Sequence, residues 1–142
     1  MKDINVLNEK FLTAQELWEK NEFASAFEML DGMYKEYSAM DWIEEGVSTD
    51  ADANEQQQAL HYIYKDFYAH HLITYYCQLF TALVSLLDEA AKYKNSITKA
   101  YAHVDSILAE LGNLEKVAPS EDSHHRLWLE RRDYKNVKSM LS

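Results

Sequence analysis

Glycine and proline, which most tight turns require, are scarce in this chain, with three Gly and one Pro in 142 residues. All-β folds need many such turns, so the composition argues against them. Helix-forming residues recur throughout instead, and 47% of the residues are apolar, which is enough to build the core of one domain. We therefore predict a single all-α domain over residues 1–142.

Cysteine is equally scarce, because Cys77 is the single one. A disulfide framework within the chain is therefore excluded. The first residues lack the uninterrupted apolar segment of a signal peptide. The most apolar stretch, residues 72–87, is interrupted by polar residues and is too short to span a membrane. We expect a soluble, cytoplasmic protein that does not bind membranes.

Basic residues are few in the first part of the chain, and the net charge of the whole is −10. Up to Leu60, 14 acidic residues stand against four lysines, whereas acids and bases balance in the remainder. An acidic surface of this kind repels nucleic acid and favours a basic protein partner. Solubility alone is the alternative explanation. The charge pattern therefore predicts a protein partner with a basic surface and no direct contact with nucleic acid.

Apolar residues recur at helical spacing in five segments, which predicts a five-helix bundle. Asp3 is the predicted N-cap of the first helix, Asn21 its left-handed end, and Gly112 the stop of the fourth helix. The predicted elements are a helical hairpin over 4–39, an acidic loop over 41–54, a long central helix over 55–91, and helices over 96–111 and 120–140.

A narrow polar line runs along the predicted long helix. Its members lie three or four positions apart, as expected for the side of a central helix that faces water. They are Asp66, His70, Thr74, Gln78, Thr81 and Ser85.

Residues 10–38 resemble a tetratricopeptide unit. The resemblance depends on Ala14, Leu17, the turn Asn21-Glu22-Phe23, Ala26 and Leu30. Small residues at Ala14 and Ala26 would let two helices approach closely, as the repeat requires. The resemblance implies a helical scaffold that binds other proteins, although an ordinary helical hairpin explains the same residues.

The acidic loop is the first candidate contact surface. It combines a possible aromatic anchor with charges that would steer a basic partner. The alternative is a solvated loop with its tryptophan packed onto the domain. The candidate residues are Asp41, Trp42, Glu44, Glu45, Asp50 and Asp52.

An aromatic stripe on the long helix is the second candidate. Flat, amphipathic side chains anchor interfaces at low entropic cost. Packing of the same stripe against the hairpin is the alternative, since aromatic residues also fill cores. The stripe consists of Tyr64, Tyr68, His71 and Tyr75.

Catalytic motifs are lacking. The sequence has no Gly-rich phosphate loop and no nucleophile elbow, and Cys77 lies in an apolar helix where a thiol is inert. A di-metal bundle requires Glu-x-x-His on two helices, whereas this spacing occurs once, from Glu121 to His124. We predict no catalytic residue, no metal ligand and no cofactor.

These observations predict a non-catalytic protein-binding domain whose acidic surface blocks a basic partner, as inhibitors, immunity proteins and anti-defence proteins do. The first alternative is a tetratricopeptide-like adaptor or chaperone that binds a peptide between its helices. The second is a metal-dependent helical-bundle enzyme. The sequence leaves the oligomeric state open.

Overall fold

The computed structural model describes residues 3–42, 51–117 and 121–141. Within these ranges the chain forms six α-helices and no strand, which confirms the all-α prediction. The helices are α1 (Ile4–Glu19), α2 (Phe23–Ala39), α3 (Ala51–Val84), α4 (Leu87–Lys92), α5 (Lys94–Val117) and α6 (Glu121–Leu141).

The α1–α2 hairpin forms where the sequence predicts it, and local signals fix both ends of α1. The side chain of Asp3 accepts a hydrogen bond from the backbone N–H of Asn5 at 2.8 Å and so caps α1. Asn21 ends the helix with a left-handed φ of 62°. The backbone N–H of Glu22 then reaches the carbonyl of Leu17 at 2.8 Å, a Schellman arrangement.

The predicted long helix is wrong at both ends. It begins at Ala51, so the last four residues of the predicted loop are helical, and it ends at Val84 rather than at residue 91. The short helix α4 follows and turns the chain back. Tyr93 ends α4 and packs its ring 5.8 Å from that of Phe23 in α2. The predicted helix is divided between Val84 and Leu87, so six helices replace five. No glycine or proline lies at the division, and the contact of Tyr93 with the hairpin accompanies it.

Gly112 does not stop a helix, because α5 continues to Val117. A Cβ atom at Gly112 would lie 2.6 Å from the guanidinium of Arg131 on α6. The glycine therefore marks a close approach of α6 to α5. Helix α6 begins at Glu121 and buries Leu127 and two further side chains, as predicted for the last helix.

Helix α3 is the centre of the bundle and packs against each of the other described helices. One strip of its surface stays uncovered. Phe11 of α1 contacts Tyr68 of α3, and Trp18 contacts Tyr75, so α1 runs parallel to α3. Helix α6 also runs parallel to α3, whereas α2 and α5 run in the opposite direction. In the described part of the chain, neighbouring pairs are α1 with α2, α2 with α5, and α5 with α6, while no extensive packing joins α1 to α6.

The gap between α1 and α6 leaves one side of α3 uncovered, and we call it the open seam. The half of the seam toward the C-terminus of α3, formed by Thr74, Gln78 and Thr81, is polar and exposed, as the polar line predicts. Asp66 and His70 depart from that prediction, because α6 covers His70 and leaves Asp66 half-buried. The open seam consists of Leu60, Ile63, Phe67, His71, Thr74, Gln78 and Thr81.

None of the helices in the described ranges combines the length and the apolar character that a membrane span needs.

Candidate partner-binding surface

Two residues of the aromatic stripe lie in the core, and the other two, His71 and Tyr75, are partly buried. Tyr68 is fully buried and Tyr64 is 8% exposed. The ring of Phe11 in α1 lies edge-on to Tyr68 at 5.9 Å and stacks on Tyr75 at 4.8 Å. His71 is also packed against Phe11, at 5.8 Å. Tyr68, His71 and Tyr75 therefore hold α1 to α3, while Tyr64 packs edge-on against Tyr68.

The acidic loop is described at its two edges. Asp41 is exposed and Trp42 is partly buried. Asp52 lies in the first turn of α3, a helix and not a loop, and its side chain is outside the described residues. The remaining predicted acids of this segment, Glu44, Glu45 and Asp50, also lie outside the described residues.

A buried lysine holds the end of α2 against α3. Lys65 is 3% exposed, and its ammonium donates a hydrogen bond to the backbone carbonyl of Met40, just beyond the last residue of α2. The same ammonium lies 3.4 Å from a carboxylate oxygen of Glu110 on α5. Cationic side chains near a helix C-terminus stabilise its unpaired carbonyls. Lys65 therefore fixes the direction in which the chain leaves α2.

Trp42 is held in place by the same group of residues. Its indole N–H donates a hydrogen bond to Glu110, and the ammonium of Lys65 lies 4.9 Å from the centre of its ring. The ring of His61 donates a hydrogen bond to the backbone carbonyl of Asp41, the residue before Trp42. Trp42 is thus packed onto the domain in one orientation. This matches the alternative in the sequence analysis, in which the tryptophan packs onto the domain.

Tyr62 extends this aromatic surface toward solvent. Its ring lies 5.1 Å from that of Trp42, and the residue is 41% exposed. Burial of its inner side, together with the charge of Asp66, raises the pKa of its phenol. Tyr62 was not among the residues predicted from sequence, because it lies outside the stripe and its partner Trp42 comes from another segment. We call Asp41, Trp42 and Tyr62 the acidic–aromatic end.

A second polar cluster joins α3 to α6. The Nδ1 atom of His70 lies 2.6 Å from Glu130, and its Nε2 atom lies 3.3 Å from Asp66. Burial lowers the pKa of His70, but hydrogen bonds to the two carboxylates outweigh it, so the pKa is raised above the ordinary value. Both ring nitrogens are occupied by carboxylates. Among the residues that the structure describes, no group of three or more His, Cys, Asp and Glu side chains could hold a metal ion.

A third cluster is buried between α2, α3 and α5. The hydroxyl of Tyr76 donates to Asp31 at 2.6 Å and lies 3.0 Å from the Nδ1 atom of His103. The imidazole of His103 stacks on Tyr34 at 4.0 Å. Burial lowers the pKa of His103 despite the neighbouring Asp31. No spacing in the sequence brings these residues together, because the cluster joins Asp31 and Tyr34 of α2 to Tyr76 of α3 and His103 of α5.

Cys77 is partly buried in α3. Burial, assisted by the charges of Asp133 and Glu130, raises the pKa of its thiol to about 12. A thiol with so high a pKa is protonated at neutral pH, which agrees with the expectation that it is a poor nucleophile.

Comparison of the chain with known protein families, with curated proteins and with solved structures gave no match. The tetratricopeptide resemblance of residues 10–38 therefore stays a prediction, although Ala14 and Ala26 are both fully buried in the hairpin.

Proposed function

We propose that this chain is a protein-binding domain whose acidic N-terminal part covers a basic surface of a partner protein and so blocks it. The observation that carries the proposal is the partly exposed pair of Trp42 and Tyr62, which adjoins the most acidic segment of the sequence. Tryptophan and tyrosine are enriched among the residues that anchor protein interfaces, and nearby charge steers the approach of a complementary partner.

Charge and aromatic packing would have separate roles in this interaction. The whole net charge of −10 arises in the first 60 residues, and such a field accelerates association with a basic partner and weakens with salt. The rings of Trp42 and Tyr62 would be desolvated in the complex, which slows dissociation. The predicted contact residues Glu44, Glu45 and Asp50 belong to the same segment and contribute to the field.

Preorganisation favours the acidic–aromatic end over the other exposed apolar side chains. Trp42 is already oriented by Glu110 and Lys65, so binding would not have to immobilise it. Each side chain that is ordered only on binding costs about 0.5–1.5 kcal/mol. A surface that is fixed before binding therefore retains more of the contact free energy.

The two alternatives have less support. A peptide held between the hairpin and α3 would have to displace Tyr64 and Tyr68, which are buried against α1 and α2. No contact among the described residues favours a metal-dependent reaction over binding.

Affinity capture of the tagged chain from its native lysate, at low and high salt, tests the proposal. The site variant is Asp41→Asn, Glu44→Gln, Glu45→Gln, and the matched control is Glu22→Gln, Glu28→Gln, Asp88→Asn. Both variants remove three negative charges. In the control, Glu22 precedes α2, Glu28 lies in α2 and Asp88 lies in α4. We expect the wild type and the control to retain a basic protein that high salt releases.

The site variant should retain much less of that protein, and Tyr62→Ala should release it faster. Equal capture by the site variant and the control would contradict the proposed site, because only total charge would then matter. Capture of no basic protein by the wild type would contradict the proposed function.

A further inference from the structure

His103 belongs to the buried cluster between α2, α3 and α5, and the hydrogen bonds of that cluster fix the position of its ring proton. The hydroxyl of Tyr76 has one proton and donates it to Asp31 at 2.6 Å. Toward the Nδ1 atom of His103, 3.0 Å away, the same oxygen can therefore only accept. The carboxylate of Asp31, 3.2 Å from Nδ1, also accepts. Nδ1 thus carries the proton, and the Nε2 atom of the neutral imidazole has a lone pair.

The Nε2 atom of His103 is open to solvent. It has no hydrogen-bond partner among the described residues, where the enclosed side-chain atoms without a partner are the hydroxyls of Tyr37 and Tyr68. The side chain of His103 is 14% exposed, and this exposure includes Nε2. Tyr34 of α2 stacks on the ring at 4.0 Å and holds it in place. A fixed imidazole therefore presents one unpaired nitrogen to the surface.

His103 is also neutral at neutral pH. Burial lowers the pKa of its imidazole most, the charge of Asp31 opposes this effect, and Lys99 and Lys35 lower the pKa further. An unprotonated imidazole whose ring is oriented by a third group is the usual arrangement of an activated nucleophile. Asp31 is the orienting group here, because it holds the Nδ1 side of the ring.

Two lysines flank this histidine on the surface between α2 and α5. Lys99 lies four positions before His103, on the same face of α5, and its ammonium is 3.9 Å from the second oxygen of Asp31. Lys35 lies one turn after Asp31 on α2. Both lysines are exposed and line a cavity of about 380 Å³ together with Asp31. Glu28 lines the same cavity two turns before Lys35, at the end away from His103.

We propose that His103 is a phosphorylation site, at which the Nε2 atom accepts a phosphoryl group and Lys35 and Lys99 hold the phosphoryl oxygens. Ammonium groups beside a nucleophile favour an electrophile that carries negative charge. Lysine is a common ligand of phosphoryl groups, and the two flexible side chains come from opposite sides of the cavity. The inference goes beyond the function proposed above and does not depend on it.

The donor would be a phosphoramidate or an acyl phosphate. The lone pair of Nε2 attacks phosphorus and forms the new P–N bond. The bond from phosphorus to the leaving atom breaks, and its electron pair leaves with ammonia or with a carboxylate. No further proton is required, because the nitrogen of phosphoramidate is already protonated. The ring keeps its Nδ1 proton and gains a positive charge, which the carboxylate of Asp31 stabilises, so Asp31 is a positioning residue.

Reaction of the purified chain with potassium phosphoramidate tests the proposal. Intact mass counts the phosphoryl groups that are added, tandem mass spectrometry locates them, and phosphorus NMR distinguishes the Nε2 isomer from the Nδ1 isomer. His125 is the reference in the same chain, because it is exposed and no carboxylate contacts its ring among the described residues. We expect His103 to be phosphorylated at Nε2, about tenfold faster than His125 although it is less exposed.

A pair of variants tests the role of the lysines. The lysine variant is Lys35→Ala with Lys99→Ala, and the control is Lys20→Ala with Lys116→Ala, which removes the same charge from exposed positions. Lys116 lies about 20 Å further along α5 than His103, and Lys20 lies at the end of α1. The lysine variant should slow the phosphorylation of His103 about tenfold, whereas the control should react like the wild type.

The role of Asp31 has a test of its own. Asp31→Asn should slow the phosphorylation of His103 and leave that of His125 unchanged, because an amide does not stabilise the charge that the ring gains. An unchanged rate at His103 would contradict the positioning role. If this variant loses its helical circular dichroism, the lysine variant decides, since both of its positions are exposed.

Three outcomes would overturn the inference. Phosphorylation of His103 that is no faster than that of His125 would show that the ring is not prepared as a nucleophile. Phosphorylation at Nδ1 would contradict the assigned ring proton. A lysine variant that reacts as fast as the control would show that the two ammonium groups do not hold the phosphoryl group.

Discussion

Replacing Tyr76 by Phe removes a single hydroxyl from the buried cluster between α2, α3 and α5. Tyr76 is fully buried, and its hydroxyl donates to Asp31 at 2.6 Å. Asp31 is itself 9% exposed, so water cannot fully replace the lost donor. Hydrogen bonds to charged groups contribute about 1.5–3 kcal/mol. We expect Tyr76→Phe to lower the free energy of unfolding by an amount in that range.

Tyr68 provides a matched comparison two turns earlier on the same helix. It is equally buried, but its hydroxyl has no hydrogen-bond partner among the described residues. A buried polar group without a partner costs about 1–3 kcal/mol of desolvation. Tyr68→Phe should therefore leave the free energy of unfolding unchanged or raise it by up to about 1 kcal/mol.

Urea denaturation followed by circular dichroism measures both changes, provided that the slope of the transition stays constant. The two substitutions have identical chemistry, yet we expect their changes in the free energy of unfolding to have opposite signs or to differ by at least about 1.5 kcal/mol. If both variants lose the same stability, the partner of Tyr76 is irrelevant and the reasoning from Asp31 is refuted.

Two further predictions concern the pH dependence and the helix propensity of the fold. The pKa of His70 is raised in the folded state above its ordinary value of 6.5, so its charged form stabilises the fold below that pH, and this contribution is lost as the pH rises through the folded pKa. Wild type and His70→Gln should therefore differ most in thermal stability at pH 5–6, and a difference that grows toward pH 9 would contradict the ion pair. Gly32 lies inside α2, and apart from the adjoining residues and the backbone of its own helix no atom lies within 4 Å of where its Cβ would be. Gly32→Ala should raise the free energy of unfolding by about 0.5–1 kcal/mol, and a loss of stability in urea denaturation would show that the helix is strained there.

Local signals were sufficient to predict the first hairpin. Asp3 caps α1, and Asn21 adopts the left-handed conformation that ends it. Both effects depend on residues within one helical turn, so the sequence alone specifies them. The same holds for the existence of α5 and α6, since apolar residues recur there at helical spacing.

The candidate contact surface needed the tertiary structure. Periodicity correctly places Tyr64 and Tyr68 on one face of α3, but only the position of α1 decides that this face is buried. Conversely, Tyr62 becomes part of a surface because Trp42, twenty residues away, packs beside it. A single helix does not reveal which of its sides will meet another helix.

Contacts between distant segments also decided where helices end. Gly112 reads as a stop signal, yet α5 continues past it, and Arg131 of α6 occupies the space that a side chain at this position would need. The break at Val84 has no glycine or proline nearby, and the chain turns where Tyr93 reaches α2. The sequence by itself therefore determined the helical class, the hairpin and the acidic character of its first part, since these depend on neighbouring residues and composition. Only the packing of distant segments decided which aromatic side chains are buried, which are exposed, and which side of α3 stays open.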